Sequence, residues 1–576
     1  MYAAPARRRA AQRVSGPVRT SCGRQVRLGP PAYHRAVPSR ADELLDAGRG
    51  ALAGARWVEA RAAFAGAREV DESGDAVFGL SEASWWLGDL RAAVDHRERA
   101  FELFRDAGDV AQAALAALYT SLDYQKQYGD AVTAAGWLAQ AERLIEDNDL
   151  DPLRGWLLFA SAFICDDPVR AEALARRAQE TAAASGDRDL ELCSLSQVGG
   201  ALVAQGRVVE GVRCLDESMA VALGTGGSPD SVVFTSCMMM TACSRCAEFR
   251  RAVQWVRRTI TFTERFGCPF LFAECRIHYG GILVATGDWP AAEVELLAGV
   301  EMTRDAVPGL HRLAVSNLAE LRFGQGRVED VERLMAGDDH HDLAQVHGRL
   351  HLWHGRPAAA IAVLRRRLDT AGGDRLETSR IAELLGEAEL ACGDALAAAR
   401  RAEQLIAEGG AVGCELLAAR GHRLAGWAAH AGGAPAEARR HLDTALVGFA
   451  RLEMRWDALR TRLLLATVLE QSEPEVAAAE ARAALAAADR LGSAPTADGA
   501  AAVLRRLGIA ASRGVPGDGR ALSRREEQVL ALIGEGLSNP EIAARLHLSR
   551  KTIEHHVAHV LSKLGARNRT ELAGKR

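Results

Sequence analysis

The sequence lacks the features that mark several common classes of protein. Its longest strongly apolar stretch, residues 155–165, is far shorter than the ~18 residues that a membrane-spanning helix needs. It contains no G-x-x-x-x-G-K-[ST] phosphate loop, no G-x-S-x-G nucleophile elbow and no strand-linked G-x-G-x-x-G motif. The residues therefore give no support for a nucleotide hydrolase or another enzyme, and we expect no cofactor and no bound metal.

A disulfide framework and a secretory signal are also missing. The eleven cysteines are scattered along the chain, and their number is odd. This usage favours reduced thiols in a cytoplasm over the disulfide scaffold of a secreted protein. No apolar segment follows the arginines near the N-terminus, so we expect no secretory signal. We expect a cytoplasmic protein with no membrane partner.

Positive charge is concentrated at the two ends of the sequence. Residues 1–40 contain nine arginines and no acidic residue, and residues 521–576 contain ten lysines and arginines against six acidic residues. Subtracting the net charges of both ends from the overall net charge of −4 leaves a net charge of −17 on residues 41–520. A basic tail on an acidic body favours contact between the tail and a polyanion, although an ordinary solvated surface explains the same charge. Residues 1–38, rich in Arg, Pro and Ala, are predicted to be a disordered basic extension.

The middle of the sequence is a repeat with a period near 40 residues. Each repeat has a turn residue followed five positions later by a small residue. The eleven pairs are Ala55/Ala60, Gly88/Ala93, Gly129/Ala134, Asp166/Ala171, Gly206/Gly211, Ala247/Ala252, Gly287/Ala292, Gly326/Val331, Gly355/Ala360, Gly393/Ala398 and Gly433/Ala438. We interpret each repeat as a helix, a tight turn in which glycine supplies the positive φ, and a second helix that the small residue lets pack closely. These units resemble tetratricopeptide-type repeats, and we predict an all-α solenoid over residues 39–507.

Histidines form the first group of candidate metal ligands inside the repeats. His347, His351 and His354 follow the spacing i, i+4, i+7, which places them on one face of a helix, and His340 and His341 precede them. No glutamate stands at the metalloprotease position. We therefore prefer packed or surface histidines to a metal site.

Cysteines and tryptophans also have two interpretations. Cys243 and Cys246 form a C-x-x-C pair with Cys237 nearby, but no second pair follows at the spacing of a zinc ribbon. Buried thiols are the preferred interpretation. Trp57 and Trp289 occupy the same position in their repeats, two residues after the turn, which favours packing over a ligand cage.

The tail carries the clearest pattern of helix starts and stops. A Gly- and Pro-rich linker is predicted over 508–520, and four helices follow at about 524–534, 539–546, 550–564 and 569–575. Their starts are marked by the capping boxes Ser523/Glu526, Ser538/Glu541 and Asn568/Glu571, and by Ser549. The apolar residues predicted to form one small core are Val529, Leu530, Ile533, Leu537, Ile542, Leu546, Leu548, Ile553, Val557, Val560, Leu561, Leu564 and Leu572.

The second and third predicted helices of the tail are joined by only three residues, 547–549. This connection is typical of a helix-turn-helix unit. In the third helix, the apolar positions from Ile553 to Leu564 recur at i, i+4, i+7 and i+11 and should face the core. The opposite face presents Lys551, Glu554, His555, Ala558 and Ser562. Such a helix fits the major groove, and its N-terminus suits phosphate contact.

These residues resemble the LuxR-type DNA-binding domain over about 55 positions. The matching residues are Leu522, Ser523, Arg525, Glu526, Val529, Leu530, Gly536, Ser538, Asn539, Glu541, Ile542, Ala543, Leu546, Leu548, Ser549, Thr552, Ile553, His556, Lys563, Leu564, Gly565, Thr570, Glu571, Leu572 and Ala573. The resemblance implies that Glu554, His555 and Ala558 occupy base-contacting positions. Members of the family carry lysine at two of these three, so the operator sequence does not carry over.

The resemblance implies a helix-turn-helix domain at 521–576 behind a helical-repeat region, without the ATPase of large family members. The residues that it assigns to DNA binding are Asn539, Ser549, Arg550, Lys551, Thr552, Glu554, His555, His556, Ala558 and Lys563. We expect a bacterial, sequence-specific transcriptional regulator that is not an enzyme, with double-stranded DNA as its partner.

The solenoid is then expected to be a sensor, partner-binding or oligomerisation scaffold. A protein or small-molecule effector on the solenoid and a homodimer are both left open. The competing hypothesis is a helical-repeat scaffold whose tail no longer binds DNA.

Overall fold

The computed structural model describes residues 39–304, 306–510, 524–546, 553, 554, 556, 557, 560, 561 and 566. Within these ranges all regular structure is helical, and no strand occurs. The predicted all-α class is confirmed.

The helices follow one another with short connections, as helical hairpins require. In chain order they are Arg40–Ala53 (α1), Trp57–Val70 (α2), Gly74–Trp86 (α3), Leu90–Ala107 (α4), Val110–Asp123 (α5), Ala131–Asp147 (α6), Asp151–Phe163 (α7), Pro168–Ser185 (α8), Arg188–Ala204 (α9), Val208–Val221 (α10), Pro229–Cys246 (α11), Phe249–Phe266 (α12), Pro269–Thr286 (α13), Trp289–Thr303 (α14), Pro308–Gln325 (α15), Val328–Leu334 (α16), Ala344–Trp353 (α17), Pro357–Thr370 (α18), Arg375–Ala391 (α19), Ala395–Val412 (α20), Glu415–Ala431 (α21), Pro435–Arg451 (α22), Arg455–Leu469 (α23), Pro474–Leu491 (α24), Ala494–Arg506 (α25), Arg524–Gly534 (α26) and Asn539–Leu546 (α27). Two π-helical turns, Tyr124–Tyr128 and Ala222–Gly226, and a 3-10 turn, His341–Leu343, complete the set in the described residues.

The described residues divide into two compact units. The first contains those up to Arg322 together with Val328–Trp456, and the second contains Phe323–Arg327 together with those from Asp457 onward. The linker predicted at 508–520 stays a prediction, since most of it lies outside the described residues.

The repeat pattern is confirmed residue by residue. Ten of the eleven turn residues have a positive φ, including the non-glycine residues Ala55 and Ala247. All eleven small residues that follow them are buried. The exception among the turns is Asp166, because here Asp167 begins α8 by accepting hydrogen bonds from the backbone N–H groups of the first turn, including Val169 at 2.9 Å. The turn residues therefore end one helix, and the small residues let the next helix pack against it.

Within the first unit, hairpins far apart in sequence touch, which is the contact pattern expected of a repeat array wound into a superhelix. Trp57 Nε1 donates a hydrogen bond to the carbonyl oxygen of Phe266 at 2.6 Å. The terminal nitrogen of Arg312 donates to the carbonyl oxygen of Tyr128 at 2.9 Å. The first helices of successive hairpins, such as α5, α7, α9 and α11, contact one another and are buried around most of their circumference. These first helices therefore form much of the interior of the first unit.

Candidate nucleic-acid interface

The tail builds one small hydrophobic core from its described helices. The fully buried residues are Val529, Leu532, Ile533, Ile542, Ala543, Ile553, Val557 and Val560. Six of these eight were predicted, and Leu532 and Ala543 were missed. The two helix ranges predicted at 524–534 and 539–546 agree with α26 and α27. The core therefore fixes α26 and α27 against the segment that contains Ile553.

The start of α27 is fixed by a predicted capping box. The backbone N–H of Ser538 donates to Glu541 Oε2 at 2.7 Å, and the Ser538 hydroxyl donates to the same oxygen at 2.6 Å. These bonds hold the pKa of the Glu541 carboxyl below its usual value, because they favour its charged form. Pro540 lies in the first turn, where a helix does not need its missing N–H. The boxes predicted at residues 523 and 568 fall outside the described residues.

The turn between α26 and α27 depends on a glycine. Gly536 has φ +83°, and the next residue, Leu537, donates its backbone N–H to the carbonyl oxygen of Leu532 at 3.2 Å. Leu537 then packs against the core. This geometry sets the direction in which the chain enters α27.

The segment after α27 presents opposite chemistry on its two faces. Among its described residues, Ile553, Glu554, His556, Val557, Val560 and Leu561 are helical. Ile553 and Val560 are completely buried, whereas Glu554 is exposed and His556 is half-buried. The predicted inward face is confirmed at 553, 557 and 560. A helix whose apolar face lies in its own core leaves the other face available for the major groove.

Only part of the predicted contact set falls on described residues. Asn539 is the first residue of α27 and is half-buried, while Glu554 and His556 have the positions given above. The other seven predicted residues, which lie outside the described residues, are Ser549, Arg550, Lys551, Thr552, His555, Ala558 and Lys563. The predicted contact set therefore stays a prediction.

The histidines at i, i+4 and i+7 do not share a ligand. His347 Nε2 lies 2.9 Å from the carbonyl oxygen of Asp338, and His354 Nε2 lies 2.9 Å from Glu332 Oε1. These two rings are therefore held by protein partners, and the choice between packed histidines and a metal site stays a prediction.

A different set of donor atoms lies close together in the same region. One donor atom each of His340, His341 and Asp342 lies within 4.8 Å of the others. The Arg312 guanidinium already donates from Nε to Asp342 Oδ2 at 3.1 Å. A cation in that position competes with a metal for the carboxylate.

The cysteines and tryptophans singled out in the sequence are packing residues. Cys237, Cys243 and Cys246 are buried, and burial raises the pKa of the Cys246 thiol to about 12. Such thiols are unreactive near neutral pH. Trp57 and Trp289 are also buried, and Trp57 stacks on the ring of Trp86 with 4.4 Å between centroids.

A cavity inside the first unit was not predicted from the sequence. Its wall contains Lys126, whose ammonium lies 2.8 Å from Oε1 of Glu274, a completely buried carboxylate. Burial alone would raise the pKa of Glu274, but Lys126 and His278 outweigh it and hold that pKa well below its usual range. One signal was available, because Lys126 is the only lysine before residue 551.

The described residues of the tail form a small helical domain with its own core, which follows a body of helical hairpins in the sequence. The family model described as bacterial regulatory proteins, luxR family, matches residues 520–575. The C-terminal segment is therefore a LuxR-type helix-turn-helix domain.

Two regulators resemble this segment. The transcriptional regulatory protein LnrK of Bacillus subtilis (strain 168) is 46% identical over 52 residues, which is 9% of this chain and 24% of LnrK. The oxygen regulatory protein NreC of Staphylococcus aureus (strain JH9) is 45% identical over 53 residues, which is 9% of this chain and 24% of NreC. The chain thus spans about a quarter of the length of the curated relatives it matches.

Two solved helical structures align with most of the chain. The APC/C hetero-tetramer Cut9-Hcn1 aligns with 81% of this chain and 96% of its own at 12% identity, with a TM-score of 0.44. Yeast Tom70 gives the same coverage and identity with a TM-score of 0.23. Separately, none of the described helices is long and apolar enough to span a membrane.

Proposed function

We propose that this protein is a transcriptional regulator that binds specific sequences of double-stranded DNA through its C-terminal domain. In this proposal the segment around Glu554 enters the major groove. The single observation that carries it is the arrangement of Ile553, Val557 and Val560 in the core with Glu554 exposed. The similarity to LnrK and NreC, both named as regulatory proteins, supports the same role.

The ten residues that we assign to the DNA contact have three kinds of role. Ser549, Arg550, Lys551 and Thr552 contact phosphate at the helix N-terminus, where free N–H groups and positive charge favour an anion. Glu554, His555 and Ala558 meet base edges, and a glutamate there accepts a hydrogen bond from the amino group of cytosine. The three remaining residues, which support the backbone contact, are Asn539, His556 and Lys563.

The body is assigned the role of a sensor or partner-binding scaffold. Residues 41–520 carry −17, so this region repels DNA. We therefore place the DNA contact on the tail alone, in a cytoplasmic, nucleoid-associated protein. The competing hypothesis is a scaffold whose tail does not bind DNA. It predicts that the tail selects no DNA sequence.

The test begins with the full chain and a pool of randomised duplexes. Bound duplexes are enriched over several rounds, and the affinity of the winning sequence is then measured at several salt concentrations. The logarithm of the affinity should fall with the logarithm of salt, by about 0.9 for each phosphate neutralised. If no sequence is enriched and no salt-dependent binding occurs, the scaffold hypothesis is correct.

Two variants separate the assigned roles. Lys551→Ala should weaken binding to every duplex by a similar factor and lower the salt slope by about 1. Glu554→Ala should change the preferred sequence, at about 1–3 kcal/mol per contact, with a smaller effect on unrelated duplexes. If the two variants behave alike, the assignment of phosphate and base contacts is wrong.

A further inference from the structure

A cavity of about 170 Å³ lies inside the first unit. It is lined mainly by the first helices of successive hairpins, from α3 to α13. Eight of its lining residues are aromatic. Five of the eight are only half-buried, so part of each ring is accessible, and these are Trp85, Tyr119, Trp156, Phe163 and Phe234. The cavity therefore offers several aromatic faces to a bound molecule.

The aromatic walls are held in place by one another and by a hydrogen bond. The rings of Phe163 and Phe234 lie 5.6 Å apart between centroids, and those of Trp85 and Phe270 lie 5.8 Å apart. Trp156 Nε1 donates to Asp187 Oδ2 at 3.0 Å, which fixes the orientation of its indole ring. Because these contacts already exist, a ligand has little side-chain entropy to remove on binding.

Two buried polar side chains on the cavity wall have unused hydrogen-bonding atoms. Arg97 is 5% exposed and Gln127 is 2% exposed, and both bind the buried carboxylate of Asp123. Arg97 Nε and Gln127 Oε1 have no hydrogen-bond partner. Buried polar groups in proteins are nearly always paired, so this donor and this acceptor point to a ligand with complementary groups.

The charges around the cavity are unequal. Four lining carboxylates, Glu82, Asp123, Asp189 and Asp230, stand against two lining cations. The cations are Arg97, which pairs with Asp123, and Lys126, which pairs with Glu274 outside the lining. Carboxylates on the wall and accessible aromatic faces both attract a cation.

We propose that the cavity binds a small aromatic amine in its protonated, cationic form. One or two fused rings fit, since a cavity of about 150 Å³ holds a benzene molecule. The rings lie against the aromatic walls, the ammonium group lies near the carboxylates, and an N–H group of the ligand meets Gln127 Oε1. The binding is independent of the regulator assignment, whereas a role of this ligand as effector rests on the proposed function.

The test uses the full chain and three probes that share one ring system. Tryptamine is a cation, indole is neutral and indole-3-acetate is an anion at pH 7. Binding is measured by saturation-transfer NMR and calorimetry up to millimolar probe. We expect tryptamine to bind at least tenfold more tightly than indole, and indole-3-acetate most weakly. If no probe binds, or if the anion binds best, the proposal is wrong.

Two cavity variants and one control connect the binding to the proposed residues. In the wild type the Ser228 N–H donates to Asp189 Oδ1 at 2.9 Å, and Asp189→Asn keeps an acceptor for it. This variant should weaken the binding of tryptamine at least threefold and leave the binding of indole unchanged. Phe163→Leu should weaken both probes. Trp353→Leu, at a half-exposed position outside the cavity lining, should change neither. Equal effects of Asp189→Asn on both probes would contradict the charge preference.

The enrichment of randomised duplexes distinguishes the cavity proposal from the regulator proposal. If tryptamine binds but no duplex is enriched, the cavity assignment stands and the regulator assignment fails. If a duplex is enriched but no probe binds, only the cavity assignment fails.

Discussion

Ile553 and Glu554 are neighbours in sequence with opposite surroundings, and this contrast allows a sharp test of the tail. Ile553 is completely buried in the core of the tail, and Glu554 is exposed. Truncating each to alanine should therefore separate the stability of the domain from its contact with DNA. Ile553→Ala removes packing from the core, whereas Glu554→Ala changes only the surface.

The expected size of the first effect follows from burial. Replacing a buried isoleucine by alanine lowers the unfolding free energy by about 2–5 kcal/mol. Because Ile553 is completely buried, we expect a loss of about 3 kcal/mol or more. That is a large share of the ~5 kcal/mol that stabilises a small domain. The melting midpoint of the tail should fall by roughly 12–24 °C, at about 4–8 °C for each kcal/mol. Glu554→Ala should change stability by less than about 0.5 kcal/mol.

Hydrogen exchange followed by mass spectrometry localises this effect in the full chain. In Ile553→Ala, amides of α26 and α27 should exchange about a hundredfold faster, because 1.4 kcal/mol corresponds to a factor of ten. Peptides from the first unit should keep their wild-type rates in both variants. Ile553→Ala should also lose affinity for every duplex, whereas Glu554→Ala should only alter sequence preference. Wild-type exchange in Ile553→Ala, or rapid exchange in Glu554→Ala, would refute the assignment of the two faces.

Further predictions concern the first unit. Gly211→Ala should cost about 3 kcal/mol in unfolding free energy, because its Cβ would lie 2.5 Å from the carbonyl oxygen of Gly199. Gly393→Ala meets no atom within 4 Å and should cost only about 1 kcal/mol, from its φ of +83°; equal costs in chemical denaturation would contradict this account. Lys126→Met should cost about 3 kcal/mol at pH 7 by leaving the Glu274 carboxylate buried without its cation. The pKa of Glu274 is lowered, so its ionised carboxylate stabilises the wild type above pH about 4.5, and this stabilisation is lost as the pH falls. The difference in unfolding free energy between wild type and variant should therefore shrink below that pH. An unchanged deficit in denaturation curves at pH 4 would contradict the role of this ion pair.

Local rules predicted the repeats and the tail core because both depend on neighbours in sequence. A positive φ at Gly393 and burial at Ile553 follow from turn chemistry and from helical spacing. The cavity could not be predicted in this way, since Lys126 meets Glu274 across 148 residues. The superhelix decides which first helices face one another, and no local period encodes that choice. Asp166 shows that a turn of the same period can lack a positive φ, since Asp167 and Pro168 begin the next helix there.

The contact of Trp57 with Phe266 affects how the array tolerates change. An open repeat array gains stability only from adjacent units, so it can lose a terminal unit or gain an inserted one at modest cost. Here a hydrogen bond spans 209 residues and ties the beginning of the array to a hairpin much further along the chain. Deleting or inserting one hairpin between them would bring the wrong residues opposite each other. Duplication and loss of single hairpins, a common route of change in repeat proteins, should therefore be restricted between these two positions.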